Sequence, residues 1–334
     1  MRLAALIAAG LAVLVLAAVL VPPWARADVP ALLLPPGLGR TDRVWVFGRV
    51  LEEAHGKHGP AALRTVRVLA GHNLPGARVE VSFLGQVAQA VSGHDGEFEV
   101  ELSAPADRPF PAGRHPAEVT VLGRAGAAPL ATAQAAVEVI APDAPFLLVS
   151  DFDDTVAVTN VAELRKLLAS TFLRDAETQP PVPGMAGLYR CLTAGGAPLA
   201  FVSGSPVQLA PRLVRFLEKN GFPPAALYLR NVGRGTVSGG YKEPVLARLV
   251  ERFPGHPLVL VGDSGEHDPE IFAAFMKAHP GRVLRAYVRQ ATPKPGPEAR
   301  FEGLLLFSDP AEAAADAKGR GLVRVACGDP GAKP

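Results

Sequence analysis

Three aspartates lie within four residues, directly after an apolar run that has the length of a strand. Residues 146–150 are Phe-Leu-Leu-Val-Ser, and Asp151, Asp153 and Asp154 come next, followed by Thr155. Buried parallel strands are continuous apolar runs, and ligands bind beyond the carboxyl ends of such strands. Because carboxylates at this spacing repel one another, we expect a cation or a shared proton between them.

The spacing of Asp151 and Asp153 suits two different chemical roles. Two residues apart on an extended strand end, their side chains face the same crevice. One carboxylate is able to attack a phosphorus atom while the other transfers protons, and Thr155 is able to donate a hydrogen bond to the same group. The alternative interpretation of so short a motif is an acidic turn after a strand, with or without a simple cation.

Three further segments carry polar residues in comparable places. The apolar run 198–202 ends in Ser203-Gly-Ser-Pro206, and the apolar run 258–262 ends at Asp263. Between them, a glycine pair and Tyr241 precede Lys242 at the predicted start of a helix. The order along the chain is therefore a strand with two aspartates, a strand with a serine, a helix with a lysine and a strand with an aspartate.

This order resembles the haloacid-dehalogenase superfamily of phosphohydrolases, in which the same four elements build one site. Five longer motifs resemble the catalytic domain of the actin-patch-associated phosphatidate phosphatases, over about residues 145–292 of the chain. The motifs are Ser150–Thr155, Gly184–Tyr189, Phe201–Pro206, Asn220–Pro223 and Gly262–Ile271. The last motif is the most specific, whereas the first alone indicates only the superfamily.

The resemblance implies a role for each polar residue. Asp151 is expected to be the nucleophile that forms an aspartyl-phosphate, and Asp153 the group that protonates the leaving alkoxide and later accepts a proton from water. Ser203 is expected to bind a phosphoryl oxygen, and Lys242 to offset the negative charge of Asp151 and of the phosphoryl group. The expected substrate-binding groups beside them are Thr155, Gly204 and Ser205.

The resemblance also implies a Mg²⁺ site. Its expected ligands are the Asp151 carboxylate, the Asp153 carbonyl and Asp263, with Asp268 orienting a metal-bound water. Without the resemblance, Asp268 before Pro269 is a sound helix N-cap. In the same way, Ser205 before Pro206 is good chemistry for a helix start, and an isolated lysine such as Lys242 is usually exposed.

Length and composition favour two globular domains. The chain has 334 residues, of which 49% are hydrophobic and 20% charged. Residues 28–141 are predicted to be an all-β, immunoglobulin-like sandwich, with Asp28 to about Thr41 irregular and a hairpin at Asp95–Gly96. Its predicted strands are 44–50, 65–69, 78–83, 86–91, 97–102, 118–122 and 131–140. The sequence of this predicted sandwich contains no cluster of carboxylates or histidines that would indicate a function, and it does not identify a binding partner.

Residues 142–310 are predicted to be α/β, with a haloacid-dehalogenase-like open parallel sheet and helices on both faces. The predicted helices span residues 160–172, 184–194 and 206–219, and a late strand spans 283–288. Residues 311–334 are predicted to be a weakly determined C-terminal tail. The gaps between the motifs do not hold a large cap domain beyond these helices, so the site is expected to be open to bulky or interfacial substrates.

Residues 1–27 have the pattern of a signal peptide. Residues 3–21 are apolar, and Ala25 and Ala27 are the small residues that a signal peptidase requires, so we expect cleavage before Asp28. An uncleaved anchor is the alternative, because the apolar segment is just long enough to span a bilayer. Either outcome implies export, and cleavage would leave no transmembrane span.

The formal charge argues against nucleic acid and anionic membranes as general partners. Loss of residues 1–27 removes two arginines and no acid, so the formal charge falls from +2 to zero. A neutral body lacks the basic face of a nucleic-acid-binding protein and the polybasic patch that attracts anionic membranes.

The two cysteines, Cys191 and Cys327, either form a disulfide in an oxidising compartment or stay separate thiols.

The sequence thus predicts an exported, Mg²⁺-dependent phosphomonoesterase. A phospholipid such as phosphatidate, met at a membrane surface, is the substrate that the resemblance implies. The alternatives are a phosphatase for a phosphoprotein, sugar or nucleotide, and a binding or adhesion protein that retains a phosphatase scaffold. One departure from the family pattern lies beside the serine motif, where residue 207 is Val and many relatives are expected to carry an aromatic residue.

Overall fold

The computed structural model describes residues 29–52, 73–157, 180–230 and 240–323. Several sequence predictions fall outside these ranges, namely the segment 1–27, the strand 65–69, the helix 160–172 and the position of Cys327. Within the described ranges, no helix is long and apolar enough to cross a membrane.

The N-terminal part of the chain is a β domain. Its described strands are β1 (Ala31–Leu33), β2 (Gly37–Arg40), β3 (Arg43–Leu51), β4 (Arg78–Phe83), β5 (Gln86–Val91), β6 (Glu97–Ser103), β7 (Gly113–Val121) and β8 (Ala131–Ile140). They are connected in the order β1-β3-β2-β8-β7-β4-β5, with β6 paired to β3. The sheet is mixed, because β2 and β8 run parallel. A β domain is therefore present, and its immunoglobulin-like character stays a prediction.

Two sequence predictions for this domain are wrong. Irregular structure is predicted at about residues 28–41, but β1 and β2 form there because both pair with β3. A hairpin is predicted at Asp95–Gly96, but β5 pairs with β4 and β6 pairs with β3. The turn itself is present, with the Gly93 N–H donating to the Glu97 carbonyl at 2.8 Å. Turn chemistry predicts where the chain reverses, and burial decides which strands then pair.

The C-terminal part of the chain is an α/β domain, as predicted. Its strands are β9 (Leu147–Ser150), β10 (Leu199–Pro206), β11 (Ala225–Arg230), β12 (Leu258–Asp263), β13 (Val283–Arg289) and β14 (Leu305–Phe307). They form a parallel sheet in the order β11-β10-β9-β12-β13-β14. The described α-helices are α1 (Met185–Thr193), α2 (Ala210–Lys219), α3 (Lys242–Arg252), α4 (Asp268–Ala278) and α5 (Pro310–Gly319).

Helices cover both faces of this sheet because its strands are apolar throughout. In the central strand β9, Leu148 faces the core built with α1, α2 and α5, whereas Leu147 and Val149 face the core built with α3 and α4. Helix α5 falls in a segment that the sequence predicts to be a weakly determined tail. A capping box of Asp309 and Glu312 begins this helix, and Ala313 and Ala317 bury its inner face.

The β domain packs against the α/β domain through one face of β3. Side chains alternate along a strand, so Val44 and Val46 enter the β-domain core while Trp45 and Phe47 point to the other domain. The Trp45 ring makes an edge contact with Phe253 at 5.8 Å between centroids. The Arg252 guanidinium lies 4.7 Å from the centre of the same ring.

We expect Trp45→Ala to weaken the attachment of the two domains. The substitution removes the Phe253 contact, the Arg252 contact and the hydrogen bond from the indole N–H to Glu101 at 2.9 Å. Large-to-small changes of a buried aromatic residue cost about 3–5 kcal/mol. The free energy of unfolding, measured by urea denaturation, should fall by that order, whereas the exposed control Val87→Ala should change it by less than about 0.5 kcal/mol. Equal stability of the two variants would contradict this packing.

Candidate functional site

Three neighbouring strands bring the polar residues to one edge of the sheet. Ser150 in β9 is paired with Phe201 in β10 and with Val261 in β12. Two residues further along β10 and β12, Ser203 and Asp263 therefore lie on either side of the chain that leaves β9. The strand order reverses between β9 and β12, and such a switch point is where ligands bind in open α/β sheets.

Lys242, the first residue of α3, lies between two buried carboxylates. Its Nζ atom is 2.8 Å from Asp151 Oδ1 and also contacts Asp268 Oδ1, and Glu266 Oε2 lies 4.0 Å away. Burial alone would lower the pKa of Lys242, but the Asp151 and Asp268 carboxylates outweigh burial and raise it. The lysine is therefore a fixed positive charge beside Asp151.

Asp151 is held from two sides and is buried. Besides the ion pair with Lys242, its Oδ2 atom accepts a hydrogen bond from Thr155 Oγ1 at 3.3 Å. Burial raises the pKa of Asp151, Lys242 lowers it, and the Asp268, Asp153 and Asp263 carboxylates raise it further. The net direction is upward, so this carboxylate requires a positive charge nearby to stay ionised at neutral pH.

Asp151, Asp263 and Asp268 form a three-carboxylate cluster. Each has a side-chain oxygen within 4.8 Å of those of the other two, and all three residues are buried. Asp263 Oδ1 accepts from the Gly265 N–H at 2.5 Å and the Glu266 N–H at 3.3 Å, whereas its Oδ2 atom has no hydrogen-bond partner among the described residues.

The cluster fits a divalent cation. Three carboxylates against one lysine leave an excess of negative charge in a buried place, and carboxylate oxygens are ligands that hard cations prefer. The orphaned Asp263 Oδ2 atom supports this fit, because a buried acceptor without a partner is costly. Asp151, Asp263 and Asp268 are the side chains placed to hold the ion. The Asp153 carbonyl, a predicted ligand, accepts the Thr155 N–H at 2.6 Å.

Asp153 lies with the serines of the β10 end. Its Oδ2 atom accepts hydrogen bonds from Ser203 Oγ at 2.9 Å and from Ser205 Oγ at 3.1 Å, and its Oδ1 atom has no partner within the described ranges. Burial raises the pKa of Asp153, while the two serine hydrogen bonds oppose that shift. A carboxyl group in such an environment takes up a proton more readily than usual.

The serine segment differs from its predicted helix start. The sequence chemistry suggests Ser205 as an N-cap, but β10 continues to Pro206 and a short 3-10 turn, Val207–Leu209, precedes α2. The Ser205 N–H donates to Ser203 Oγ at 2.9 Å, and its side chain is engaged by Asp153. Gly204 between the two serines is exposed at the mouth of this segment.

Asp268 also does not act as the N-cap of its helix. It is the first residue of α4, and its Oδ2 atom accepts from the Asp263 N–H at 3.2 Å instead of bonding to its own helix. Gly262 makes this approach possible, because a Cβ atom there would lie 2.4 Å from Asp268 Oδ2. The glycine before Asp263 is therefore required by the close packing of Asp268.

Two positioning residues were not found from the sequence. Arg289 at the end of β13 donates from Nε to the Asp154 carbonyl at 2.7 Å, and Asp154 has a φ of +51°, which is strained for a residue other than glycine. Tyr189 in α1 shares a hydrogen bond of 2.5 Å with Ser150 Oγ. The position of Arg289 at the same sheet edge was the available signal, since it follows directly on the predicted strand 283–288.

Of the two cysteines, the structure describes only Cys191. Cys191 is buried in α1 and is disulfide-bonded. Cys327 lies outside the described residues.

Comparison with known proteins identifies a related catalytic segment. Residues 146–290 match the family model described as phosphatidate phosphatase APP1, catalytic domain. Phosphatidate phosphatase APP1 of Saccharomyces cerevisiae is 30% identical over 150 residues, which are 42% of this chain and 25% of that protein. An uncharacterised protein of Schizosaccharomyces pombe is 34% identical over 151 residues, 42% of this chain and 24% of that protein.

These matches confirm the resemblance inferred from the five motifs. The chain spans about a quarter of the length of either relative, and the β domain lies outside the matched residues 146–290. Among solved structures, a phosphoserine phosphatase from T. onnurineus is 17% identical with a TM-score of 0.32, covering 52% of this chain and 95% of that one. A likeness that weak does not bear on fold or function.

We expect the stability of the metal-free protein to fall as pH rises, with Asp263 as one cause. Burial and then the Asp268 carboxylate raise the pKa of Asp263 from 3.8 to about 7. The folded state therefore binds this proton more tightly than the unfolded state, and stability declines as pH rises from about 4 through about 7. In Asp263→Asn the decline should be shallower.

The measurement is the urea midpoint in EDTA, from about pH 4.5 to about pH 8. The control is Asp143→Asn, an exposed aspartate outside the site, which should follow the original chain. Added Mg²⁺ should stabilise the original chain near neutral pH and stabilise Asp263→Asn less. An unchanged slope in Asp263→Asn would show that this carboxylate is ionised in the folded protein without a cation.

Proposed function

We propose that this chain, whose residues 146–290 resemble the catalytic domain of phosphatidate phosphatase APP1, is a Mg²⁺-dependent phosphoric monoester hydrolase that acts through an aspartyl-phosphate. The observation that carries the proposal is the Asp151 carboxylate, held at 2.8 Å from Lys242 with Asp153 two residues further on. A nucleophile, a cation and a proton-transfer group are therefore at one sheet edge, as phosphoryl transfer requires.

Asp151 is the proposed nucleophile. A carboxylate oxygen attacks the phosphorus atom, the P–O bond to the leaving group breaks, and the phosphoryl group stays on Asp151 as an acyl phosphate. Lys242 offsets the combined negative charge of the carboxylate and the phosphoryl oxygens, and the Thr155 hydroxyl keeps Asp151 in place. Ser203 and the exposed Gly204 lie beside this position and are the proposed partners of a phosphoryl oxygen.

Asp153 is the proposed proton-transfer group. As an acid it gives its proton to the departing alkoxide, and as a base it then removes a proton from the water that attacks the acyl phosphate. Hydrolysis of that bond releases inorganic phosphate and restores the Asp151 carboxylate. The raised pKa of Asp153 supports the first role, because the group must be protonated when the alkoxide leaves.

Mg²⁺ is the proposed ion at the three-carboxylate cluster. When bound, it would neutralise part of the charge on the phosphoryl oxygens. Asp151, Asp263 and Asp268 are the side chains that would hold it, because carboxylate oxygens are ligands that Mg²⁺ prefers, with water and a substrate phosphate completing its coordination.

The proposed substrate is a phosphate-ester lipid such as phosphatidate. The named yeast relative supports this class, and the alternatives are phosphorylated protein, sugar or nucleotide. We also propose that the protein is exported, which the apolar segment 3–21 and the small residues Ala25 and Ala27 support.

Asp151→Asn should abolish phosphate release. An amide neither attacks phosphorus nor holds a cation as a carboxylate does, so turnover should fall by at least about three orders of magnitude. The purified chain would be assayed with an aryl phosphate, with phosphatidate in detergent micelles and with several soluble phosphates, each in Mg²⁺ and in EDTA. Asp143→Asn is the matched control and should retain full activity.

The same panel separates the proposed function from its alternatives. Mg²⁺-dependent release that Asp151→Asn removes supports the hydrolase, and the ranking of substrates decides between lipid and soluble esters. Release by Asp151→Asn at the original rate would refute the nucleophile. No release from any substrate, with Mg²⁺ still bound, would favour a binding protein that retains a phosphatase scaffold.

Ser205→Ala should move the alkaline limb of the pH–rate profile to higher pH. The Ser205 hydroxyl donates to the ionised Asp153 carboxylate and lowers its pKa, so losing that donor raises the pKa further. The protonated acid then persists to higher pH. The profile of kcat/KM with an aryl phosphate measures this, and Ser103→Ala, an exposed serine of the β domain, is the control. A shift to lower pH would contradict the assignment of Asp153 as the acid.

A further inference from the structure

A large cavity lies between the β domain and the α/β domain. Its volume is about 670 Å³, within the range of about 300–1,000 Å³ that small-molecule sites have. The α/β domain contributes Tyr228, Leu229 and Tyr241 to the wall, and the β domain contributes Phe47 and Phe98. Most of this lining is aromatic or aliphatic, so the cavity suits an apolar group.

Several residues of the cavity wall are close neighbours of the proposed catalytic residues in the chain or in the sheet. Leu229 is the register partner of Ser203 in the adjacent strand. Tyr241 directly precedes Lys242, and Val207 in the wall comes two residues after Ser205. Residues beside the proposed phosphate site thus form one end of an apolar space that extends toward the β domain.

The cavity has a fixed wall on each side. Phe47 of β3 stacks on Tyr228 of β11, with 5.4 Å between ring centres. Arg252 bridges the domains beside it, because its guanidinium pairs with Glu99 of β6 and Arg40 donates to its carbonyl at 3.0 Å. These contacts, made by residues of the cavity wall, hold its two sides together.

Arg49 adds to this wall a buried guanidinium group whose hydrogen-bond donors are only partly satisfied among the described residues. It is 1% exposed and lies on the face of β3 that carries Trp45 and Phe47, toward the other domain. Its Nη1 atom donates to Asn73 at 3.2 Å, whereas Nε and Nη2 have no partner among the described residues. Two buried donors without an acceptor are costly, so an oxygen atom of a ligand is expected there.

We propose that this cavity binds an acyl chain of a lipid phosphate, with an ester carbonyl oxygen accepting from Arg49 while the phosphate lies at Asp151. The inference rests on the proposed hydrolase function and adds a site for the acyl chain of its proposed lipid substrate. An apolar chain suits the aromatic wall, and an ester carbonyl supplies the acceptor that Arg49 lacks. The β domain then forms half of the substrate site.

Val91→Asp tests the chain site against a matched control. Val91 lines the cavity and is 63% exposed, and Val87 lies on the same face of β5, is 60% exposed and is outside the cavity wall. A carboxylate at residue 91 opposes burial of a chain, so kcat/KM for long-chain phosphatidate in micelles should fall about tenfold more than kcat/KM for an aryl phosphate. Val87→Asp carries the same charge and should not alter that ratio.

Two results would overturn the inference. One is an equal change of the ratio in Val91→Asp and Val87→Asp, which would indicate repulsion of the anionic micelle and no chain site. The other is an equal loss on both substrates in Val91→Asp, because a chain site at this wall must affect the long-chain lipid more than the aryl phosphate.

A binding measurement separates the inference from the proposed hydrolase. A phosphatidate carrying a fluorescent acyl chain is titrated into the Asp151→Asn variant, so that binding is measured without turnover of the probe. Adding Val91→Asp or Arg49→Met should weaken its binding at least about fivefold, and adding Val87→Asp should not. Probe binding without any hydrolysis by the original chain would refute the hydrolase and keep the cavity. Probe binding that neither cavity variant alters would refute the cavity alone.

Arg49→Met also distinguishes a ligand-binding role of Arg49 from a purely structural role, because the two roles predict opposite effects on stability and on lipid binding. Methionine is unbranched and apolar like the stem of arginine, and it removes the two buried donors that lack partners among the described residues, so the urea midpoint should be kept while lipid binding falls. A lower urea midpoint with unchanged lipid binding would make Arg49 a structural residue and remove it from the ligand site.

Discussion

The site depends on the ammonium group of Lys242 between two buried carboxylates. Three aspartates with oxygens within 4.8 Å of one another repel strongly where water is excluded. Lys242 makes this density tolerable by pairing with Asp151 and Asp268 at once. One cation against three anions still leaves an excess of negative charge, so the same cluster also fits a divalent cation.

The strands and loops around Lys242 fix the positions of the carboxylates. Parallel strands fix Asp151 and Asp263 at one edge, and the glycine at position 262 leaves the space that Asp268 occupies. Arg289 holds the Asp154 carbonyl and so fixes the turn between Asp151 and Thr155. Asp153 accepts hydrogen bonds from two serine hydroxyls, whereas Asp151 pairs with Lys242, so the two aspartates have different environments and suit different chemical steps.

Much of this arrangement could be predicted from sequence because it follows from strand ends. Apolar runs that terminate in Asp151, Ser203 and Asp263 need only the rule that parallel strands end together. The direction in which a side chain points is harder to predict from the sequence. Asp268 and Ser205 both stand where helix caps are expected, and both turn to buried partners supplied by distant segments. The strand partners of β5 and β6 were also beyond local turn chemistry, since pairing is decided by burial.

In the proposed substrate site, the β domain would supply the wall that contacts the acyl chain. The gaps predicted to lack a cap fall partly on residues 158–179 and 231–239, outside the described ranges, so the described wall comes from the β domain instead. Alternation along β3 gives that domain two faces, one for its own core and one with Trp45, Phe47 and Arg49 toward the catalytic domain. In this wall Arg248 and Arg252 pair with Glu99, whereas two donors of the buried Arg49 lack a partner among the described residues, and domain packing alone favours full satisfaction of buried donors. The same wall suits a ligand with a long apolar chain and an oxygen acceptor, and this chemistry is that of an acylated phosphate ester.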